Sequence, residues 1–170
     1  VVGENGAFYF AYDRSAHRMK THYWADDATR AADRLRLDQI RDRVLQEVPG
    51  TALASDQAYR VAALAIDFCE DVPALPDAAI SRIVQIFQDA GAQAKVSSIH
   101  VNGWFGDYDK LTMTRRFLAN EFGLTSQDSA DQVIFSGDSP NDAPMFGAFD
   151  LSVGVANVRD MMHRIAQPPD

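Results

Sequence analysis

From residue 109 onward the chain alternates helical patterns with short apolar runs, and few folds accept that rhythm. A helix is expected from about Asp109 to Phe122, stopped at Gly123. The apolar run Gln132-Val133-Ile134-Phe135-Ser136 follows a polar loop, and another helix starts near Asn141. Leu151-Ser152-Val153-Gly154-Val155 reads as a strand, and Val158 to Ala166 as the last helix. Helix, strand, helix, strand, helix with short connections is the pattern of a parallel α/β sheet.

The residues before it follow another plan. Val1-Val2, Glu4-Asn5-Gly6 and Ala7 to Tyr12 read as strand, turn and strand, because Asn-Gly accepts positive φ. Asp13 to Trp24 reads as a polar linker. Asp26 or Asp27 caps a helix that runs to about Val48 and stops at Pro49-Gly50. Leu37, Ile40, Val44 and Val48 recur at helical spacing and form its buried stripe. Asp26 with Arg30, Arg34 with Asp38 and Arg43 with Glu47 sit four apart, the spacing of ion pairs on a solvated face. Thr51 to Phe68 reads as two extended segments around Ser55-Asp56-Gln57, with Val61 to Phe68 suiting a buried strand or a helix. Asp77 opens a second helix whose buried face is Ile80, Ile83, Val84, Ile86 and Phe87; Gly91 ends it, and Ala94 to Val101 is a strand. The organisation is a core segment (1–14), an α/β insert (15–101) and a second core segment (102–170).

At 170 residues the chain fits one ordinary domain or two small ones. Its formal net charge of -8 repels phosphate backbones and anionic headgroups, which argues against nucleic acid and membrane partners. No apolar run approaches the roughly 20 residues that span a bilayer. One cysteine, Cys69, cannot form an internal disulfide, as suits a reducing compartment, so a cytoplasmic location is expected. Val1 at one end and Gln167-Pro168-Pro169-Asp170 at the other read as cut ends of a longer chain.

Chemistry concentrates in Gly137-Asp138-Ser139-Pro140-Asn141-Asp142. A carboxylate directly after a buried parallel strand stands at the carboxyl edge of the sheet, where open α/β folds hold ligands. Asp138 is a hard oxygen donor of the kind Mg²⁺ takes, and Asn141 and Asp142 add an amide and a second carboxylate within one turn. Free N–H groups at the following helix start suit an anion. The plain alternative is an N-capped helix with Asp138 and Ser139 as turn residues. Ser98, His100 and Asn102 share one face of the expected strand by alternation, either toward a substrate or as a solvated face.

This acidic run resembles the fourth motif of the haloacid-dehalogenase-like phosphatases. Glu4-Asn5-Gly6-Ala7 resembles the turn before the insert in their type IIB, sugar-phosphatase-like branch. Ser97 to Asn102 followed by Lys110 resembles that branch's return to the core, and Val153-Gly154-Val155-Ala156-Asn157 the segment after its acidic loop. The resemblance implies an α/β fold: a Rossmann-like parallel-sheet core, partly present, with an inserted α/β cap of type IIB. It implies a Mg²⁺-dependent phosphatase that forms an aspartyl-phosphate on a sugar phosphate. By matched position Asp138 is the metal ligand, Lys110 neutralises nucleophile and phosphoryl oxygens, and Asp142 supports the metal shell. Asn141, Ser98, His100 and Asn102 are the expected substrate-binding residues, with a hinge near residues 15 and 101.

The family's first two motifs, an apolar strand ending in Asp-x-Asp and a strand-end Ser or Thr, are absent from these 170 residues. The resemblance places them before Val1, so this chain alone is expected to be inactive. Asp107-Tyr108-Asp109 has the spacing but follows Gly106 and reads as a helix N-terminus. The competing expectation is a binding or regulatory protein that keeps the fold without turnover.

Overall fold

A computed structural model describes residues 1–138, 142–156 and 158–161. The chain divides into two compact units, residues 1–24 with 108–170 and residues 25–107. In chain order the first unit opens with strands β1 (Val2–Gly3), β2 (Phe8–Asp13) and β3 (Arg18–Tyr23). The second contains helix α1 (Asp27–Glu47), strands β4 (Ala52–Leu53) and β5 (Ala63–Asp67), helix α2 (Asp77–Asp89) and strands β6 (Gln93–Val96) and β7 (His100–Trp104). The first resumes with α3 (Lys110–Phe122), α4 (Ser126–Gln132), β8 (Ile134–Gly137), α5 (Ala143–Phe146), β9 (Leu151–Gly154) and α6 (Val158–Met161).

The units divide at 24/25 and 107/108 rather than at 15 and 101. Asp13 to Trp24 is not a linker, because β3 pairs antiparallel with β2 along its whole length. Asp13 accepts the backbone N–H groups of Ser15 and Ala16, which closes the turn, and its other oxygen meets Lys20 Nζ at 2.8 Å. At the other crossing, β7 runs on to Trp104 between β5 and β6 and so keeps residues 102–104 in the second unit.

In the first unit Val2 and Gly3 pair with Tyr9 and Phe8 across the expected turn. Asn5 and Gly6 both have positive φ, and so does Glu4. A Cβ on Gly6 would stand 2.1 Å from the carbonyl oxygen of Asp109, so only glycine lets this turn close on the start of α3. Asp109 caps α3, accepting the N–H and hydroxyl of Thr112 at 2.7 Å each. The polar loop expected before the apolar strand is helix α4, closed by a capping box between Thr125 and Asp128. β8 and β9 pair in parallel, Ile134 opposite Leu151 through Gly137 opposite Gly154. The helix expected over 158–166 is described as far as Met161.

The second unit is a four-stranded antiparallel sheet in the order β4-β5-β7-β6. Leu37, Ile40, Val44 and Val48 of α1 and its end, and Ile83, Ile86 and Phe87 of α2, are buried with Leu64, Ile66 and Val101 in one cluster. Asp26 caps α1 through the N–H of Thr29. Of the four-apart pairs, Arg43 takes Glu47 as expected, whereas Arg30 takes Asp27, Asp38 takes Arg41, and Arg34 donates to the carbonyl of Arg60. The strand expected over Ala94 to Val101 is two strands, β6 and β7, joined by a turn through Ser97–Ile99 in which Ser97 Oγ donates to the carbonyl of His100 and accepts its N–H. No helix among the described residues is long and apolar enough to cross a membrane.

Candidate active site

In the first unit β8 ends at Gly137 and delivers Asp138 to the carboxyl edge of the parallel pair, the position expected of a ligand-bearing loop. Asp142, only 4% exposed, ties the site together. Its Oδ2 accepts the backbone N–H of Asp138 at 3.0 Å, and its Oδ1 accepts Lys110 Nζ at 2.6 Å. A Cβ on residue 137 would come within 2.9 Å of Asp142 Oδ2, so Gly137 lets that carboxylate reach the Asp138 N–H. Lys110 is the first residue of α3, and its side chain remains one-third exposed. A charge-assisted bond of this kind is stronger than a neutral one, and it aims the ammonium at the acidic loop.

Lys110, Asp138 and Asp142 line one cleft of about 560 Å³. Its apolar walls come from Phe117 and Leu118 of α3, from Val133 and Phe135 along β8, and from Val2 and Met145. Glu4 and Asn5 of the strained turn also face this cleft. Positive φ at a glutamate is uncommon, and the sequence gives no sign of it beyond the neighbouring Asn-Gly. Asn141 lies outside the described residues, as do Ser139, Pro140, Asn157 and His163.

The remaining expected site residues belong to the second unit. His100 and Asn102 are both buried and share one face of β7, opposite Asp67 and Ala65 of β5. Ser98 is not on that face, because the chain turns there between β6 and β7. His100 Nε2 lies 2.8 Å from Glu70 Oε2, and Asn102 Oδ1 accepts Arg60 Nη1 at 3.2 Å. Arg60 is itself paired with Asp56. Asp67, fully buried, accepts the N–H groups of Cys69, Glu70 and Asp71. Burial pushes its pKa up, but those three backbone donors and the neighbouring His100 outweigh it and hold the carboxyl below its ordinary 3.8. Glu70 and Arg60 join this polar strip through a bend and a short turn that sequence periodicity does not mark.

No family model and no curated protein matches this sequence. Solved structures do match in fold. The C-terminal domain of trehalose-6-phosphate phosphatase from C. albicans is 14% identical, with a TM-score of 0.57 over 98% of this chain and 55% of that one. The sucrose-phosphatase of Synechocystis, solved with sucrose and phosphate, is 16% identical with a TM-score of 0.59 over 88% of this chain and 61% of that one. The C-terminal domain of a trehalose synthase regulatory protein from Candida albicans is 13% identical with a TM-score of 0.51, over 98% and 61%. This chain therefore spans little more than half the length of the structures it matches. The likeness is one of fold: this chain shares the mixed α/β fold of these phosphatase and regulatory-protein domains, as the resemblance of its acidic loop and lysine helix implies.

Proposed function

We propose that the cleft of the first unit is the phosphoryl-transfer site of a Mg²⁺-dependent sugar-phosphate phosphatase. The observation that carries this reading is the bridge from Lys110 through Asp142 to the Asp138 backbone, all within one cleft. Phosphoryl transfer depends on positioning and on neutralising the equatorial oxygens, and a fixed ammonium does both. Asp142 orients Lys110 and holds the backbone of Asp138 at the sheet edge.

Among the described residues no group of three His, Cys, Asp or Glu side chains is arranged to hold a metal ion. Mg²⁺ suits such a site, because it takes one or two carboxylates and fills its octahedron with waters and substrate phosphate. Asp138 would hold it, with Asp142 behind, and the ion would neutralise charge on the transferring group.

The reading requires an aspartate whose oxygen attacks phosphorus while the ester oxygen leaves with the sugar; water then hydrolyses the acyl phosphate. The apolar walls of the cleft along β8 suit an apolar strand that would bring such a carboxylate beside Lys110. The polar strip of the second unit, His100 with Glu70 and Asn102 with Arg60, is proposed to read the sugar hydroxyls.

A second reading, a regulatory protein of the same fold without turnover, is favoured by the likeness to the trehalose synthase regulatory protein. Substitution of Asp138 separates the two. In the full-length protein Asp138→Asn is expected to weaken Mg²⁺ binding at least about tenfold by calorimetry and to abolish sugar-phosphate hydrolysis. Unchanged Mg²⁺ affinity would remove Asp138 from the metal site, and absence of hydrolysis by the unsubstituted protein would favour the regulatory reading.

A further inference from the structure

The turn Glu4-Asn5-Gly6 borders the same cleft as Lys110, Asp138 and Asp142 but has no part in the chemistry proposed for them. Its place is closely fixed. Glu4, Asn5 and Gly6 have φ of 44°, 56° and 105°, and Ala7 closes the turn by donating its N–H to the carbonyls of Gly3 at 3.1 Å and Glu4 at 3.2 Å. A Cβ on Gly6 would stand 3.2 Å from the backbone nitrogen of Lys110 as well as against the Asp109 carbonyl. The turn therefore lies on the start of α3, and Asn5 is one residue from that contact.

Asparagine is more than the turn requires. Glycine takes positive φ without steric cost, and asparagine only tolerates it. What asparagine adds is a side-chain amide, half-buried here and without a hydrogen-bond partner among the described residues. An amide donates and accepts, and so does a hydroxyl, so the two match. Glu4 also lines the cleft, and its carboxylate accepts from hydroxyls but repels a phosphoryl group. Lys110 brings the cleft its cation, and the turn brings groups suited to hydroxyls. At about 560 Å³ the cleft has the size of a small-molecule site rather than of a lone phosphoryl group.

We propose that Asn5 is a specificity-determining residue that holds a hydroxyl of the leaving-group sugar, with the Glu4 carboxylate beside it. This rests on the phosphoryl-transfer reading of the cleft and adds to it a place for the rest of the substrate. Both residues belong to the first unit, whereas the polar strip of His100 and Asn102 belongs to the second.

The test is steady-state hydrolysis of glucose 6-phosphate and 4-nitrophenyl phosphate by the full-length protein and two variants. Asn5→Gly accepts the positive φ and deletes only the amide, so the melting temperature should hold. Its kcat/KM on glucose 6-phosphate should fall about fivefold, mainly through KM, which is the worth of one hydrogen bond. The aryl ester has no hydroxyl to lose and should fall less. Asn5→Asp keeps an acceptor and should lose less than Asn5→Gly on the sugar ester. If Asn5 met the phosphoryl group instead, the added charge would make aspartate the worse variant on both esters. Equal losses on the two esters, no loss on either, or the larger loss with aspartate would each overturn the proposal and leave the phosphoryl-transfer reading standing. Hydrolysis of the aryl ester alone by the unsubstituted protein would do the same. Hydrolysis of neither ester would overturn both.

Discussion

In the second unit β5 and β7 lie under two helices, and Leu64, Ile66 and Val101 share one continuous core with Leu37, Ile40, Ile83 and Phe87. In the first unit, among the described residues, the parallel pair β8–β9 is covered on one face only. Phe135 packs with Phe146 and Phe149 there, while Ile134, Leu151 and Val153 on the other face are exposed, Ile134 to 73%. Parallel sheets in stable folds are buried on both faces, and a two-stranded sheet has little stability of its own. The contrast teaches where robustness and chemistry are placed. Asp138 follows the less covered sheet and is tied through Asp142 to Lys110 of α3, whereas the second unit carries a closed core and a polar strip on its other sheet face. Opening free energies are expected to be higher in the second unit than around β8 and β9.

The largest effect should come from cutting into the closed core. Phe87 is fully buried, so Phe87→Ala should cost the second unit about 3–5 kcal/mol through lost transfer energy and an unfilled cavity. Denaturant unfolding combined with amide exchange checks it, and a loss spread equally over β8 and β9 would break the contrast between the units.

Asp67→Asn should have an intermediate effect. Three backbone donors lose a charged acceptor, a cost of about 1–3 kcal/mol at neutral pH. The folded pKa of Asp67 is depressed, so its contribution is complete above the ordinary value of 3.8 and is lost as pH falls through the lower folded value. Thermal melts of the unsubstituted protein should therefore drop below about pH 4, and the variant should lose that part of the dependence. An unaltered acid slope would show that Asp67 does not carry it.

The smallest effect belongs to the exposed face. Ile134→Lys should change the stability of this chain by less than about 0.5 kcal/mol, because the side chain gives up almost no buried area. A loss of several kcal/mol in equilibrium unfolding would mean that this face is covered in solution.

Much of this was legible in the chain. The stripe on α1, the apolar face of α2 and the cap and stop of α3 all follow from periodicity and capping chemistry. β3 was harder, because Met19, Thr21 and Tyr23 alternate with Arg18, Lys20 and His22 at period two, but polar residues on both faces mask it. Helix α4 holds only seven residues and no apolar stripe, and its one signal is the Thr125–Asp128 box. Within the site, the spacing of Lys110 and Asp142 says nothing of their 2.6 Å contact, which depends on how α3 packs beside β8. Ser98 was misplaced because a hairpin turn of Ser97, Ser98 and Ile99 lacks the glycine or asparagine that usually marks one.

The proposed function makes Lys110, held by Asp142 beside Asp138, the phosphoryl-transfer cation. Lys110→Gln tests it most directly, since glutamine keeps a donor for Asp142 and removes only the charge. Steady-state hydrolysis of a sugar phosphate by the full-length protein should fall by about 10²–10³ in kcat, with the melting temperature and circular dichroism unchanged. A kcat within a few-fold of the unsubstituted protein would contradict the account and leave Lys110 as a structural partner of Asp142.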